Sequence, residues 1–201
     1  MTRENLMAIG QYIVTNAGGI AALVGVALAL YGVRRWKREY RFKRDAELLE
    51  DALVLFFQAE HAIAYLRNGI IFKHELVNFE FPSEMKDSLC EHRYQYTYVI
   101  GKRFDERQEV FNKLYAIELR FRARFGDDST AEFAAMKELV TKLLFGARQY
   151  SRSALQKDKL ATLECLIWKD WRSQDANGDS FGNDVANTVR AFESRCKKRM
   201  H

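Results

Sequence analysis

The longest uncharged stretch of the chain constrains its fold more than any other feature. Residues 7–33 hold 27 positions without one charged side chain, and the inner part, AGGIAALVGVALALYGV, is almost wholly apolar. A helix needs about 20 such residues to cross the hydrocarbon core of a bilayer. A soluble core helix rarely stays uncharged over this length. The stretch therefore predicts one transmembrane helix, at residues 9–33, after a short external N-terminus at residues 1–8.

A cleaved signal peptide is the alternative interpretation of this stretch. Ala27-Leu28-Ala29 matches the A-x-A pattern of a cleavage site. However, Arg3 and Glu4 cancel in the segment before it, and the apolar stretch is longer than that of a signal peptide. These features favour a retained, single-pass anchor.

Aromatic and basic side chains flank the apolar stretch. Tyr12 lies near its start, and Tyr31 and Trp36 lie near its end, where amphipathic rings suit the membrane interface. Residues 34–44 carry a net charge of +6 and form a basic juxtamembrane segment. Its first basic residues, also expected at the interface, are Arg34, Arg35, Lys37 and Arg38. The positive-inside rule then predicts an outer N-terminus and a cytoplasmic C-terminal part, with the lipid bilayer as a partner.

Small residues recur every four positions within the apolar stretch: Ala17, Ala21, Gly25 and Ala29. On a helix this spacing forms one face on which a second helix can approach closely. Ala and Gly are also common in spans that do not associate. The pattern favours a homo-oligomer held by helix–helix contacts on this face.

The remaining residues, 45–201, have a net charge of −1, which disfavours a nucleic-acid surface. Apolar residues recur at helical spacing through them, and no strand pattern occurs. We expect helices at about 45–73, 84–125, 129–154, 160–171 and 184–198. The sequence thus predicts an all-α protein, in which one N-terminal transmembrane helix precedes a cytoplasmic bundle of four or five helices.

Local signals mark the ends of these helices. Pro82 breaks the chain after the first, and Gly101 suggests a kink within the second. Gly126 suits the position just after a helix end, and Ser129 with Glu132 forms a capping-box pattern. The short turn between them predicts an antiparallel hairpin.

No pattern for a cofactor or a metal is present. The cysteines lack a CxxC pair, no HExxH occurs, and the segment at residues 175–179 fails the spacing of an EF-hand loop. Arg195 and His201 satisfy the loose R-x4-6-H pattern and so resemble HEPN-type ribonucleases, in which both groups act on the scissile phosphate. They lie at the extreme C-terminus, where a frayed tail would not hold them in register.

Two stretches, YRFKRDAELLEDALVLFFQAEHAIAYLRN and LRFRARFGDDSTAEFAAM, are similar to a group of uncharacterised bacterial proteins. Those have one N-terminal span, a basic stop and a helical cytoplasmic domain. The resemblance implies the same architecture and a place in the bacterial inner membrane. It implies no activity and no site residue.

These features favour a non-enzymatic, membrane-anchored interaction or assembly protein that self-associates. A protein partner of the cytoplasmic helices is a further expectation. The alternative is an oligomeric membrane effector that forms a pore or perturbs the bilayer in bacterial stress or phage defence. A membrane-tethered HEPN-like ribonuclease is the third class. A large, discrete oligomer would favour the effector, and a monomer or dimer the interaction protein.

Overall fold

The computed structural model describes residues 3–81, 88–151, 157–168 and 179–200. Within these ranges the chain forms five α-helices and no strand, which confirms the all-α prediction. The helices are α1 (Arg3–Leu66), α2 (Ser88–Phe125), α3 (Ala131–Tyr150), α4 (Lys157–Ile167) and α5 (Ser180–Met200). The chain divides into two compact units, Met1–Glu47 and Leu48–His201.

The described part of the first unit consists only of the N-terminal portion of α1, up to Glu47. Ala and Leu favour a helix there, and no proline interrupts it. Every side chain from Ala21 to Arg44 is exposed, whereas the side chains of residues 3–10, 13–18 and 20 lie outside the described set. Among the residues that the structure describes, no helix has both the length and the apolarity needed to cross a membrane. The transmembrane helix at residues 9–33 thus stays a prediction.

Four phenylalanines form the centre of the second unit, and each comes from a different helix. Phe56 of α1 stacks on Phe192 of α5 with ring centroids 4.0 Å apart, and meets Phe133 of α3 edge-on at 4.9 Å. Phe121 of α2 lies 5.3 Å from Phe133 and 5.5 Å from Phe192. All four side chains are fully buried. Because four helices meet at one aromatic cluster, this unit is a helical bundle, as predicted.

The helix α4 contributes no ring to this cluster and packs against α3. Gly146 makes this possible, because a Cβ atom there would lie 2.5 Å from Cδ2 of Leu166. Leu163 also lies close to this position. Ile167, the last residue of α4, is fully buried. A small residue on α3 thus sets how closely α4 approaches.

The end of α1 differs from its prediction. The helix ends at Leu66 rather than near residue 73, and Ile70, within the predicted range, is 62% exposed. Two buried arginines explain the difference. Arg67, directly after Leu66, is buried. Arg103 of α2 donates hydrogen bonds to the backbone carbonyls of Asn68 and Ile70, so these carbonyls are not available for the hydrogen bonds of a helix.

The capping box predicted for Ser129 and Glu132 is wrong. The Ser129 hydroxyl donates to the carbonyl of Gly126 within a short 3-10 turn, and Thr130 precedes α3 without a side-chain capping bond. Glu132 instead accepts hydrogen bonds from Arg195 of α5. The expectation for Gly126 is confirmed, because its φ of 86° suits glycine after a helix end.

The remaining boundaries were predicted in part. α2 continues through Gly101, and α5 begins at Ser180 rather than at residue 184. Asp179 accounts for the earlier start, because its carboxylate accepts a hydrogen bond from the backbone N–H of Gly182. The predicted break at Pro82 and the predicted helix ends at residues 154 and 171 lie outside the described residues.

Candidate functional site

The most unusual surface in the described chain is the apolar part of α1. We call residues 21–33 the apolar surface. Its large side chains, from Leu23 to Val33, are between 52% and 73% exposed. These residues make about three and a half helical turns, so apolar groups cover the whole circumference. A soluble helix normally shows a polar side, whereas a helix that is apolar all round belongs in a core or a membrane.

The predicted small-residue face lies on this surface. Ala21, Gly25 and Ala29 are all exposed. A Cβ atom added at Gly25 would meet nothing within 4 Å, so the position has open space around it. The side chain of Ala17 lies outside the described set. The three described members could thus admit another helix closely.

The basic segment, residues 34–44, continues along the same helix, and all of its side chains are exposed. Glu39 is its one acidic residue, and it accepts a hydrogen bond of 2.9 Å from Nε of Arg35. This bond and the attraction between the two charges raise the pKa of Arg35. The predicted interface residues Arg34, Lys37 and Arg38 are likewise exposed. Cationic groups are therefore displayed directly beside the apolar surface.

Aromatic rings accompany these charges. Trp36 and Tyr40 stack with their centroids 5.8 Å apart, and the guanidinium of Arg44 lies 5.9 Å from the Tyr40 ring. Tyr31 and Trp36 are each 64% exposed, and Tyr12 is 74% exposed. Exposed aromatic rings beside an apolar stretch are typical of membrane-interface belts.

Two ion pairs made by buried arginines were missed by the sequence analysis. The first joins Arg103 of α2 to Glu75, which lies in the 3-10 turn Lys73–Leu76. Arg103 donates to both carboxylate oxygens of Glu75, at 2.6 and 2.9 Å. It also donates to the carbonyl oxygens of Tyr65, Asn68 and Ile70. A signal existed, because Arg103 follows Val99 and Ile100 at helical spacing on an apolar stripe.

The second pair joins Arg67 to Asp179. Arg67 donates to both carboxylate oxygens, at 2.6 and 2.7 Å. It also binds the carbonyls of Cys165, Leu166 and Trp168 at the end of α4. Asp179 in turn begins α5. Both buried arginines thus donate their hydrogen bonds to helix ends and loops of the fold, which makes them structural residues.

Arg195 and Cys196 of α5 are also committed to the fold. Arg195 donates to Glu132 at 2.8 and 3.0 Å and to the carbonyl of Asp128 at 2.9 Å, and His201 lies outside the described residues. Burial raises the pKa of the Cys196 thiol to about 11, so this thiol stays protonated. No metal-binding group of His, Cys, Asp and Glu residues occurs within the described ranges.

Comparison with known proteins adds no homologue to this picture. No family model, no curated protein and no solved structure matches the chain.

Proposed function

We propose that the chain is a membrane-anchored helical assembly protein. In this proposal, residues 9–33 cross the bacterial inner membrane once, and the helical bundle lies on the cytoplasmic side. One observation carries it: the apolar surface is exposed all round α1 over residues 21–33. Removing such a surface from water is worth about 25 cal/mol for each Å². The uncharged stretch of residues 7–33 is long enough to span a bilayer, whose hydrocarbon core would remove this apolar surface from water.

The orientation follows from the basic segment. Its seven basic residues stand on the C-terminal side of the span, against one basic residue on the N-terminal side. Cytoplasmic flanks of transmembrane helices carry this excess of Lys and Arg. Anionic headgroups of the inner leaflet would attract the same exposed charges, at about 1 kcal/mol for each residue near the surface.

A role in assembly rather than catalysis is supported by how the polar groups are used. The two buried arginines and Arg195 donate to carboxylates and carbonyls of the fold. The small-residue face, in contrast, has open space at Gly25. A contact between copies of the chain would use this open small-residue face. We therefore propose self-association as the activity of the anchor.

Membrane anchoring is tested by extraction of the full chain with alkaline carbonate, which releases peripheral proteins but not spans. The wild type should stay in the membrane pellet. The double variant Leu23→Arg/Val26→Arg should be released, because each arginine near the centre of a span costs about 2.5–3.5 kcal/mol of insertion free energy.

The matched control places the same substitutions on exposed apolar residues of the bundle. Leu119 and Phe145 are 63% and 61% exposed, similar to Leu23 and Val26. Leu119→Arg/Phe145→Arg should stay in the pellet. Release of the wild type by carbonate would refute the anchor.

A further inference from the structure

A shallow groove lies between α1 and α2 in the second unit. Its volume is about 500 Å³. Val54 and Leu55 of α1 and Ala116 and Ile117 of α2 form its apolar floor. Val54 is 47% exposed although it stands among core-forming turns of α1. The floor therefore leaves apolar surface in contact with water.

The two rims of the groove carry opposite charges. Glu50 and Asp51 form the rim on α1, whereas Lys113 and Arg120 form the rim on α2. The two helices run antiparallel here, because the Tyr65 hydroxyl donates to Glu106 while Glu50 and Asp51 share the groove with Arg120. The acidic pair and Arg120 thus stand at the same end.

Most of these charges are not used within the chain. In the described ranges, Glu50, Asp51 and Arg120 take part in no ion pair. Within the same ranges Lys113 pairs with Glu109 alone, one turn earlier on the same helix, and both side chains are more than half exposed, so solvent screens this pair. The charged side chains of both rims are therefore available for ion pairs with another molecule.

We propose that this groove binds the same groove of a second copy of the chain. A two-fold axis parallel to the groove would place the α1 rim of one copy over the α2 rim of the other. Each acidic rim would then face a basic rim, on both sides of the axis. A groove with rims of one sign would require a different partner, whereas this pattern is complementary to itself. The apolar floors would close over each other between the rims.

This inference rests on the self-association in the proposed function and assigns part of it to the cytoplasmic bundle. The test uses the full chain in detergent, labelled at the C-terminus, with the association constant measured by energy transfer. One variant carries Glu50→Lys/Asp51→Lys, and the other carries Lys113→Glu/Arg120→Glu. Each alone should associate at least about tenfold more weakly than the wild type, because like charges then face each other.

Mixing the two variants provides the decisive measurement. In the mixture each basic rim faces an acidic rim again, so association between unlike chains should return to near the wild-type constant. Recovery on mixing also requires that both variants are folded. The control Glu138→Lys/Lys142→Glu lies in a different groove, between α3 and α5, and should leave the constant unchanged.

Three results would overturn the groove contact: a monomeric wild type, charge-reversed chains that associate normally, or a mixture that stays as weak as its components. Carbonate extraction of the same preparations separates this failure from that of the anchor. A chain that stays in the membrane and self-associates but fails the charge-reversal tests loses only the groove contact. A monomeric wild type loses the proposed self-association as well, and a chain released by carbonate loses the anchor.

Discussion

Arg103 and Glu75 form a bidentate ion pair inside the bundle, with residue exposures of only 1% and 3%. Removal of one partner leaves the other charge buried without compensation, which costs about 3–5 kcal/mol. We therefore expect Arg103→Met to lower the free energy of unfolding by about this amount, as measured by urea unfolding. The control is Arg107→Met, since Arg107 is exposed and its guanidinium lies over the ring of Tyr65. Equal losses in the two variants would contradict the structural role of the pair.

The same pair makes stability depend on pH. Burial alone would raise the pKa of Glu75, but hydrogen bonds from Arg103 and from the backbone N–H of Phe72 outweigh it and hold this pKa below its usual range. A carboxyl group with a depressed folded-state pKa stabilises above the unfolded-state value, near 4.3 for Glu, and loses that contribution as pH falls through the folded-state pKa. The Tm advantage of the wild type over Glu75→Gln should therefore shrink below about pH 4. Parallel Tm curves from pH 7 to pH 3 would argue against this coupling.

The phenylalanine cluster should dominate the stability of the bundle. Phe192 contacts rings from α1, α2 and α3, so Phe192→Ala leaves a cavity at the meeting point of four helices. We expect a loss of about 3–5 kcal/mol in the free energy of unfolding. Phe145→Ala is the control, because this ring is 61% exposed and its removal should cost within about 0.5 kcal/mol. A small effect at Phe192 would mean that α5 does not complete the core.

Association through the anchor predicts a difference between two faces of α1. Gly25→Leu fills the small-residue face and should weaken self-association about tenfold, because two backbones could no longer approach closely. Ala27→Leu adds a similar volume on the opposite side of the helix and should change little. The measurement is the association constant in detergent. An unchanged constant for Gly25→Leu would remove this face from the assembly.

Orientation in the membrane should depend on the basic segment. Replacement of Arg34, Arg35, Lys37 and Arg38 by Gln removes most of its charge, so a fraction of the chains should insert with the bundle outside. Protease digestion of intact spheroplasts would detect that fraction as cleaved bundle. Four Gln replacements at the C-terminal basic residues serve as the control: Arg190, Lys197, Lys198 and Arg199. Complete protection of both variants would show that other features set the orientation.

Helical periodicity was enough to predict the existence of the helices. In α3 the apolar residues that recur at helical spacing are all buried: Phe133, Met136, Val140, Leu143, Ala147 and Tyr150. Local periodicity works here because one face of α3 packs against the core along the helix. The predicted membrane-interface and association residues lie on α1, and those with described side chains are all exposed.

The errors have a common physical origin in contacts between distant segments. Arg103 ends α1 early by binding carbonyls 33 and 35 residues away in the sequence. Arg195 removes Glu132 from a local cap over a separation of 63 residues. Periodicity and capping signals describe neighbours along the chain, so they carry no information about such partners. A charged residue on an apolar stripe, as at Arg103, is the one local sign that a distant partner is needed.

The meeting of α1 with α5 has a consequence for synthesis in the cell. Cys196 contacts the carbonyl of Leu49 across 147 residues of sequence. At roughly 5–20 residues per second, the ribosome adds that length in about 7–30 s. During this interval Phe56 has no α5 against which to stack, and the apolar side of α1 is open. The core around Phe56 therefore cannot be completed until α5 has been synthesised. A chain that ends before α5 would remain a target for chaperones and proteases.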